Sequence, residues 1–125
     1  MNTKGATKLK VEDVAWTQRL IDALDEFRKV NQNVTANQII TFLNIAREEG
    51  ISQSVLEERT GLHNATVSRI CAILSDRGLP KRSQDALDLI RIVPVEGDFR
   101  SKGQVLSHKG KLIFNGLRAI MQKGR

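Results

Sequence analysis

Between Ile51 and Gly78 the sequence reads ISQSVLEERTGLHNATVSRICAILSDRG, and this stretch leaves the chain few choices. Ser52 is a good N-cap for a first short helix carrying Val55 and Leu56. Gly61 falls just past that helix, where a left-handed residue costs glycine nothing. The spacing predicts a second helix from about His63 to Arg77, with Val67, Ile70, Cys71 and Leu74 at i, i+3, i+4 and i+7 on a buried face. Asn64, Ala65, Thr66, Ser68 and Arg69 are then expected to face outward at its N-terminal end. Two helices joined by a tight turn, the second with a small polar tip, form a helix-turn-helix whose second helix can enter a DNA major groove. Arginine pairs bidentately with guanine and asparagine with adenine, while threonine offers a methyl and a hydroxyl. The bland alternative is an ordinary glycine-terminated helix hairpin. Turn, spacing and polar tip coincide with a basic flank, and this favours the nucleic-acid reading.

The charge is unevenly placed. Of the net +6, residues 1–60 hold eight Lys/Arg against nine Asp/Glu, and residues 61–125 hold twelve against five, so the second half carries +7. That asymmetry suggests a polyanionic partner, although a basic face can also be simple solvated surface. At 125 residues the chain is expected to be one domain with a real core. A single cysteine cannot form an internal disulfide, and the position of Cys71 on the apolar face favours a core role over a redox one. With no apolar run long enough to span a bilayer and no apolar signal core at the N-terminus, the expected location is cytoplasmic.

Residues 1–8 read as a polar arm with two lysines, Lys4 and Lys8, that could at most touch phosphate nonspecifically. Then VEDVAWTQRLIDALDEFRKV carries Val14, Ile21 and Leu24, continued by Trp16, Leu20, Ala23, Phe27 and Val30, at helical spacing. This stripe is wider than one neighbour requires, so the helix is either deeply buried or shared with another subunit. Thr35 with Gln38 is a capping-box signature opening a second helix with Ile39, Phe42, Leu43 and Ala46, ended by Gly50, and Ile51 could add a short strand. After Gly78, LPKRSQDALD reads as a polar connector. LIRIVPV and QVLS, joined by EGDFRSKG, read as a β-hairpin from Leu89 to Ser107 with Arg100 and Lys102 as tip cations and Pro94 near its open edge. A solvated surface hairpin is the bland reading of that charged tip. Ser107 caps a last helix with Leu112, Ile113, Leu117, Ile120 and Met121 apolar. The expected fold is mainly α with a small β-hairpin (α+β), a winged helix-turn-helix spanning residues 1–125, with terminal helices at about 9–30 and 107–123 for dimerisation.

These residues resemble the MarR family of winged-helix transcription regulators. GISQSVLEERTGLHNATVSRICAILSDRG is similar to its helix-turn-helix, and LDLIRIVPVEGDFRSKGQVLSHKGKLI to its wing and the start of the next helix, over roughly residues 35 to 118. Asp98 and Arg100 fit the Asp-x-Arg wing motif, in which the resemblance implies that the aspartate braces the hairpin and the arginine enters the minor groove. Ser107 and Gly110 fit the segment after the wing. The chain departs from the pattern at Glu57, where alanine is usual, at His63, in the place of a serine N-cap, and at Phe99, beside the wing aspartate. The resemblance implies a homodimer built from the first and last helices on a pseudopalindromic operator. The apolar terminal stripes point independently to a dimer.

Two functions of different class follow. One is a sequence-specific double-stranded DNA-binding transcription regulator, read as a repressor because nothing resembles an activation surface. The other is a winged-helix adaptor holding a protein partner in a replication or recombination assembly, for which the apolar Ala72 and Ile73 leave room. No catalytic residue, metal ligand set or cofactor site is expected: His63 and His108 are far apart in sequence without a Cys/His/Asp cluster, and there is no phosphate loop or nucleophile motif. No effector-pocket signature or exposed thiol is evident.

Overall fold

Helix α1 (Val11–Val30) has Glu12 and Asp13 in its first turn and Arg28 and Lys29 in its last, each complementing the helix dipole. The computed structural model describes residues 7–95 and 97–123, and at 83 and 98–101 the backbone only. The lysine-bearing arm of residues 1–8 thus falls largely outside the described residues. The expected capping box opens α2 (Ala36–Arg47): Gln38 N–H donates to Thr35 Oγ1 at 3.1 Å, and Thr35 N–H donates to Gln38 Oε1 at 3.0 Å. Ile51 does start a strand, β1 (Ile51–Ser52), and Ser52 then caps α3 (Gln53–Thr60), its Oγ accepting from Val55 N–H at 3.2 Å. Gly61 closes α3 at φ +71° and α4 (Asn64–Leu74) follows.

Helix α4 is shorter than the expected His63–Arg77. Ser75 turns the chain out: its Oγ donates to Ala72 C=O at 2.8 Å and accepts from Arg77 N–H at 3.1 Å, satisfying groups a further helical turn would have used. Residues 79–88 are expected as a polar connector, with Leu89 opening the hairpin. The connector contains a short 3₁₀ turn (Ser83–Asp85) and buries Leu87, while Leu89 is buried at the foot of the hairpin. Backbone bonds run from Leu87 N–H to Ile73 C=O at 2.8 Å and from Leu89 N–H to Leu74 C=O at 2.7 Å, so the connector is laid along the end of α4.

The hairpin comprises β2 (Ile90–Val95) and β3 (Asp98–Leu106). It is part of a three-stranded antiparallel sheet in the order β1-β3-β2, with Ile51 opposite Gln104 and Ile92 opposite the same residue on the other side. Pro94 lies on the edge strand, where the register shifts between Pro94 and Val95. Ser107 caps α5 (His108–Gln122), its Oγ accepting from Gly110 N–H at 2.9 Å. The core sits where α2, α3, α4 and the sheet converge, around Phe42, Ile45, Leu56, Val67, Leu74, Leu89 and Ile90. Phe27 brings α1 onto it, edge to face with Phe42 at 5.6 Å between ring centroids.

Candidate nucleic-acid interface

Helix α4 is amphipathic along its length. Val67, Ile70, Cys71 and Leu74 are buried as the spacing predicts, while Asn64, Ala65, Ser68 and Arg69 are exposed. Thr66 departs from the outward expectation: it is half-buried, on the flank of the helix rather than its crest. The start of the helix is fixed by His63, whose Nδ1 accepts from Ala65 N–H at 3.3 Å. The imidazole therefore does the work of the serine it replaces, and its ring must present a lone pair at Nδ1 to do so. Glu57, the other departure on the motif, is half-buried on α3, and its carbonyl accepts Gly61 N–H at 2.9 Å, closing the turn.

Ala72 and Ile73 follow the exposed tip but are not open surface. Both are half-buried, and Ile73 lines a cavity of about 190 Å³ with Leu79 and Leu87 of the connector and Asn31, Asn33 and Gln38 of the α1–α2 junction. Part of the Ile73 side chain is thus covered by the chain itself.

The wing is held from three sides. Gly50 N–H donates to Gln104 C=O at 2.8 Å, and Glu49 Oε1 accepts Leu106 N–H at 2.7 Å, so a carboxylate continues the sheet edge where two-residue β1 stops. At the base, Ser107 Oγ donates to Asp88 C=O at 2.7 Å, and Arg91 on β2 pairs with Asp88 and faces Asp76 at the end of α4. These ties fix the wing relative to α4. Lys102 is exposed on β3 opposite Pro94. The side chains of Asp98, Phe99 and Arg100 lie outside the described residues, although the backbone places positions 98–100 at the start of β3.

Sequence reasoning missed Glu49, Asp88 and Gln104. Asp88 adopts φ +58°, a left-handed conformation rare outside glycine and asparagine or aspartate. Gln104 is fully buried in the central strand, its Nε2 donating to Lys102 C=O at 3.2 Å and its Oε1 without a partner among the described residues. No alternation pattern distinguishes a buried glutamine from a solvated one. Cys71 is buried, and burial pushes its thiol up from 9.0 to about 12. No His/Cys/Asp/Glu group suited to a metal ion occurs among the described residues. Nor is any described helix long and apolar enough to cross a membrane.

A helix-turn-helix followed by a hairpin that packs back on it defines a winged helix-turn-helix. Residues 32–89 match the model of the MarR family, and the chain is MarR-like in fold from α1 to α5. The S. aureus MepR–DNA complex superposes with a TM-score of 0.62 at 18% identity, covering 89% of this chain and 79% of that one. RV1404 from Mycobacterium tuberculosis gives 0.60 at 16% identity, covering 92% and 76%. A MarR transcriptional regulator from Methanosarcina mazei Go1 gives 0.59 at 20% identity, covering 86% and 69%. No curated protein matches the sequence.

Proposed function

We propose that the chain is a sequence-specific double-stranded DNA-binding transcription regulator, a repressor acting as a homodimer on a pseudopalindromic operator. The observation that carries this reading is the exposed tip of α4: Asn64, Ala65, Ser68 and Arg69 stand clear of the core on one end of a capped helix. Asn64 and Arg69 supply the base-edge donors, Ala65 and Ser68 allow close approach, and Thr66 contributes from the flank. Arg100 and Lys102 of the wing take the adjacent backbone and minor groove, with Asp98 bracing the hairpin. MepR, a neighbour in fold, was solved bound to DNA, which supports the same use here. Regulation of this type needs no catalytic residue, metal or cofactor.

The homodimer reading rests on α1 and α5, whose outer residues Trp16, Leu20, Leu112 and Met121 are exposed in the single chain. A single domain with two terminal helices given over to pairing accounts for that surface. The adaptor alternative draws on Ala72 and Ile73, and both are half-buried, Ile73 beside Leu79 and Leu87 of the connector, which supports the DNA reading over it. Selection of bound fragments from random duplex DNA tests the reading. Enrichment of an inverted repeat is the expected result, whereas uniform weak binding would return the adaptor.

A further inference from the structure

The cavity beside Ile73 is built by parts of the chain distant in sequence: Asn31 and Gln38 come from the α1–α2 junction, and Leu79, Arg82, Asp85 and Leu87 from the connector. Its volume of about 190 Å³ lies below the ~300–1,000 Å³ of sites for drug-sized ligands, so any occupant is small. The polar part of the wall is rich in donors. Asn31 Oδ1 accepts Asn33 N–H at 2.7 Å and Gln38 Oε1 accepts Thr35 N–H at 3.0 Å, so each carboxamide is pinned by its oxygen. Those bonds fix which end of each side chain is the NH₂. Neither NH₂ has an acceptor among the described residues, although both side chains are half-buried. Arg82 donates from Nε to Asp85 Oδ2 at 2.7 Å, and the two terminal nitrogens of its fork have no partner among the described residues. The Asp85 carboxylate is occupied by that pair. The apolar part of the wall is aliphatic: Leu87, buried, with Ile73 and Leu79, half-buried.

We propose that this cavity binds a small aliphatic carboxylate, its oxygens taken by the Asn31 and Gln38 amides and the Arg82 guanidinium, its hydrocarbon set against Ile73, Leu79 and Leu87. Binding there does not depend on whether α4 reads DNA. Hydrogen bonds to an anion are about twice as strong as neutral ones, and the two amides are already held by backbone bonds, so little order is lost when they engage a ligand. An ammonium finds its natural partner, Asp85, already paired, and this disfavours an amino acid with the same hydrocarbon. Inorganic phosphate can use the donors but leaves the aliphatic wall unfilled. The ligand joins the α1–α2 junction to the connector, which is itself bonded to the end of α4 through Leu87 N–H and Ile73 C=O at 2.8 Å. Occupancy therefore holds the connector against α4.

The test is calorimetric titration of the full chain with isovalerate. Saturable binding at one site per chain is expected, with a thermal midpoint that rises with ligand concentration. Isovaleramide lacks the charge, valine adds an ammonium, and acetate and inorganic phosphate lack the hydrocarbon; each should bind about tenfold more weakly or worse. Asn31→Asp and Gln38→Glu keep the oxygen that each backbone N–H needs and lose only the NH₂, so the turn and the capping box persist while isovalerate affinity falls about tenfold. Arg82→Gln should weaken it similarly. Asp85→Asn should strengthen it, because a negative charge beside the bound carboxylate is removed. Denaturant midpoints without ligand check that each variant is folded. Failure of isovalerate to saturate, equal binding of isovaleramide or phosphate, or wild-type affinity in both Asn31→Asp and Arg82→Gln overturns the proposal. Tighter binding of valine, lost in Asp85→Asn, also overturns it and assigns the cavity to an amino acid.

Discussion

Gly103 sits in the central strand opposite Ser52 and Val93, and a Cβ added there would stand 2.7 Å from the carbonyl oxygen of Gly50. The obstacle is backbone already bonded to the sheet, so it cannot move aside. Gly103→Ala is expected to destabilise the fold by about 1–3 kcal/mol, in the range of overpacked core sites, read from denaturant midpoints at unchanged slope. Cys71 makes a different prediction. Its thiol titrates near 9.0 when free and is pushed up to about 12 by burial, so between those values the unfolded chain releases a proton that the folded chain keeps. Stability contributed at this site is present below pH 9.0 and is lost as pH rises toward about 12. Cys71→Ala should flatten that part of the alkaline limb relative to wild type, whatever it costs at neutral pH. Of these two residues, the buried cysteine was legible from its place at i+4 in an apolar stripe. The glycine was not, because the backbone it touches is more than fifty residues away in sequence.

At the scale of elements, legibility followed locality. Helix α2 was readable from a capping box four residues long, and α3 and α4 from Ser52, Gly61 and one apolar period, all of which act within a turn of where they stand. The end of α4 was missed because Ser75 terminates it through bonds to Ala72 and Arg77, and serine gives no such signal by type. The connector was missed because Leu79 and Leu87 are isolated among polar residues, and only the tertiary fold sets them against Ile73. The exposed side of α4, in contrast, is what remains after the buried side is subtracted. Replacing Arg69 or Asn64 by alanine is expected to cost on the order of 1–3 kcal/mol on the selected operator and far less on random duplex. Arg100→Ala should lose affinity across sequences while the half-site preference persists, because the minor groove separates A·T from G·C poorly. Titration of each variant on the operator, on a half-site-scrambled operator and on operators changed only under the wing separates the two elements. Loss of half-site discrimination in Arg100→Ala, with Arg69→Ala and Asn64→Ala unchanged, would place recognition in the wing instead.

For the whole molecule, the net positive charge is confined to one half of the sequence, while exposed apolar residues occur on both terminal helices. The half from Gly61 onward, which contains α4 and the wing, carries +7, whereas the half containing α1 carries −1. Several of the basic side chains are already engaged within the chain: Arg91 pairs with Asp88, Arg82 with Asp85, and Lys109 Nζ donates to Leu87 C=O at 3.1 Å. The cations left to meet a duplex are therefore fewer than the formal charge suggests. Arg69, Arg77, Lys81 and Lys102 are exposed, and none of them forms an ion pair among the described residues. Each phosphate neutralised contributes about 0.9 to the slope of log affinity against log salt on B-form DNA. A dimer engaging two or three phosphates per subunit should thus show a slope of roughly −4 to −5, measurable by fluorescence anisotropy on a labelled duplex between low and physiological salt. Lys102→Ala should reduce its magnitude by about 2 in a dimer, one phosphate contact being lost from each subunit, and should do so equally on operator and random sequence. A flat salt response in the wild-type protein would separate the basic half from nucleic acid altogether. The same slope with and without Lys102 would assign the phosphate contacts to α4 and leave the wing without one at that residue.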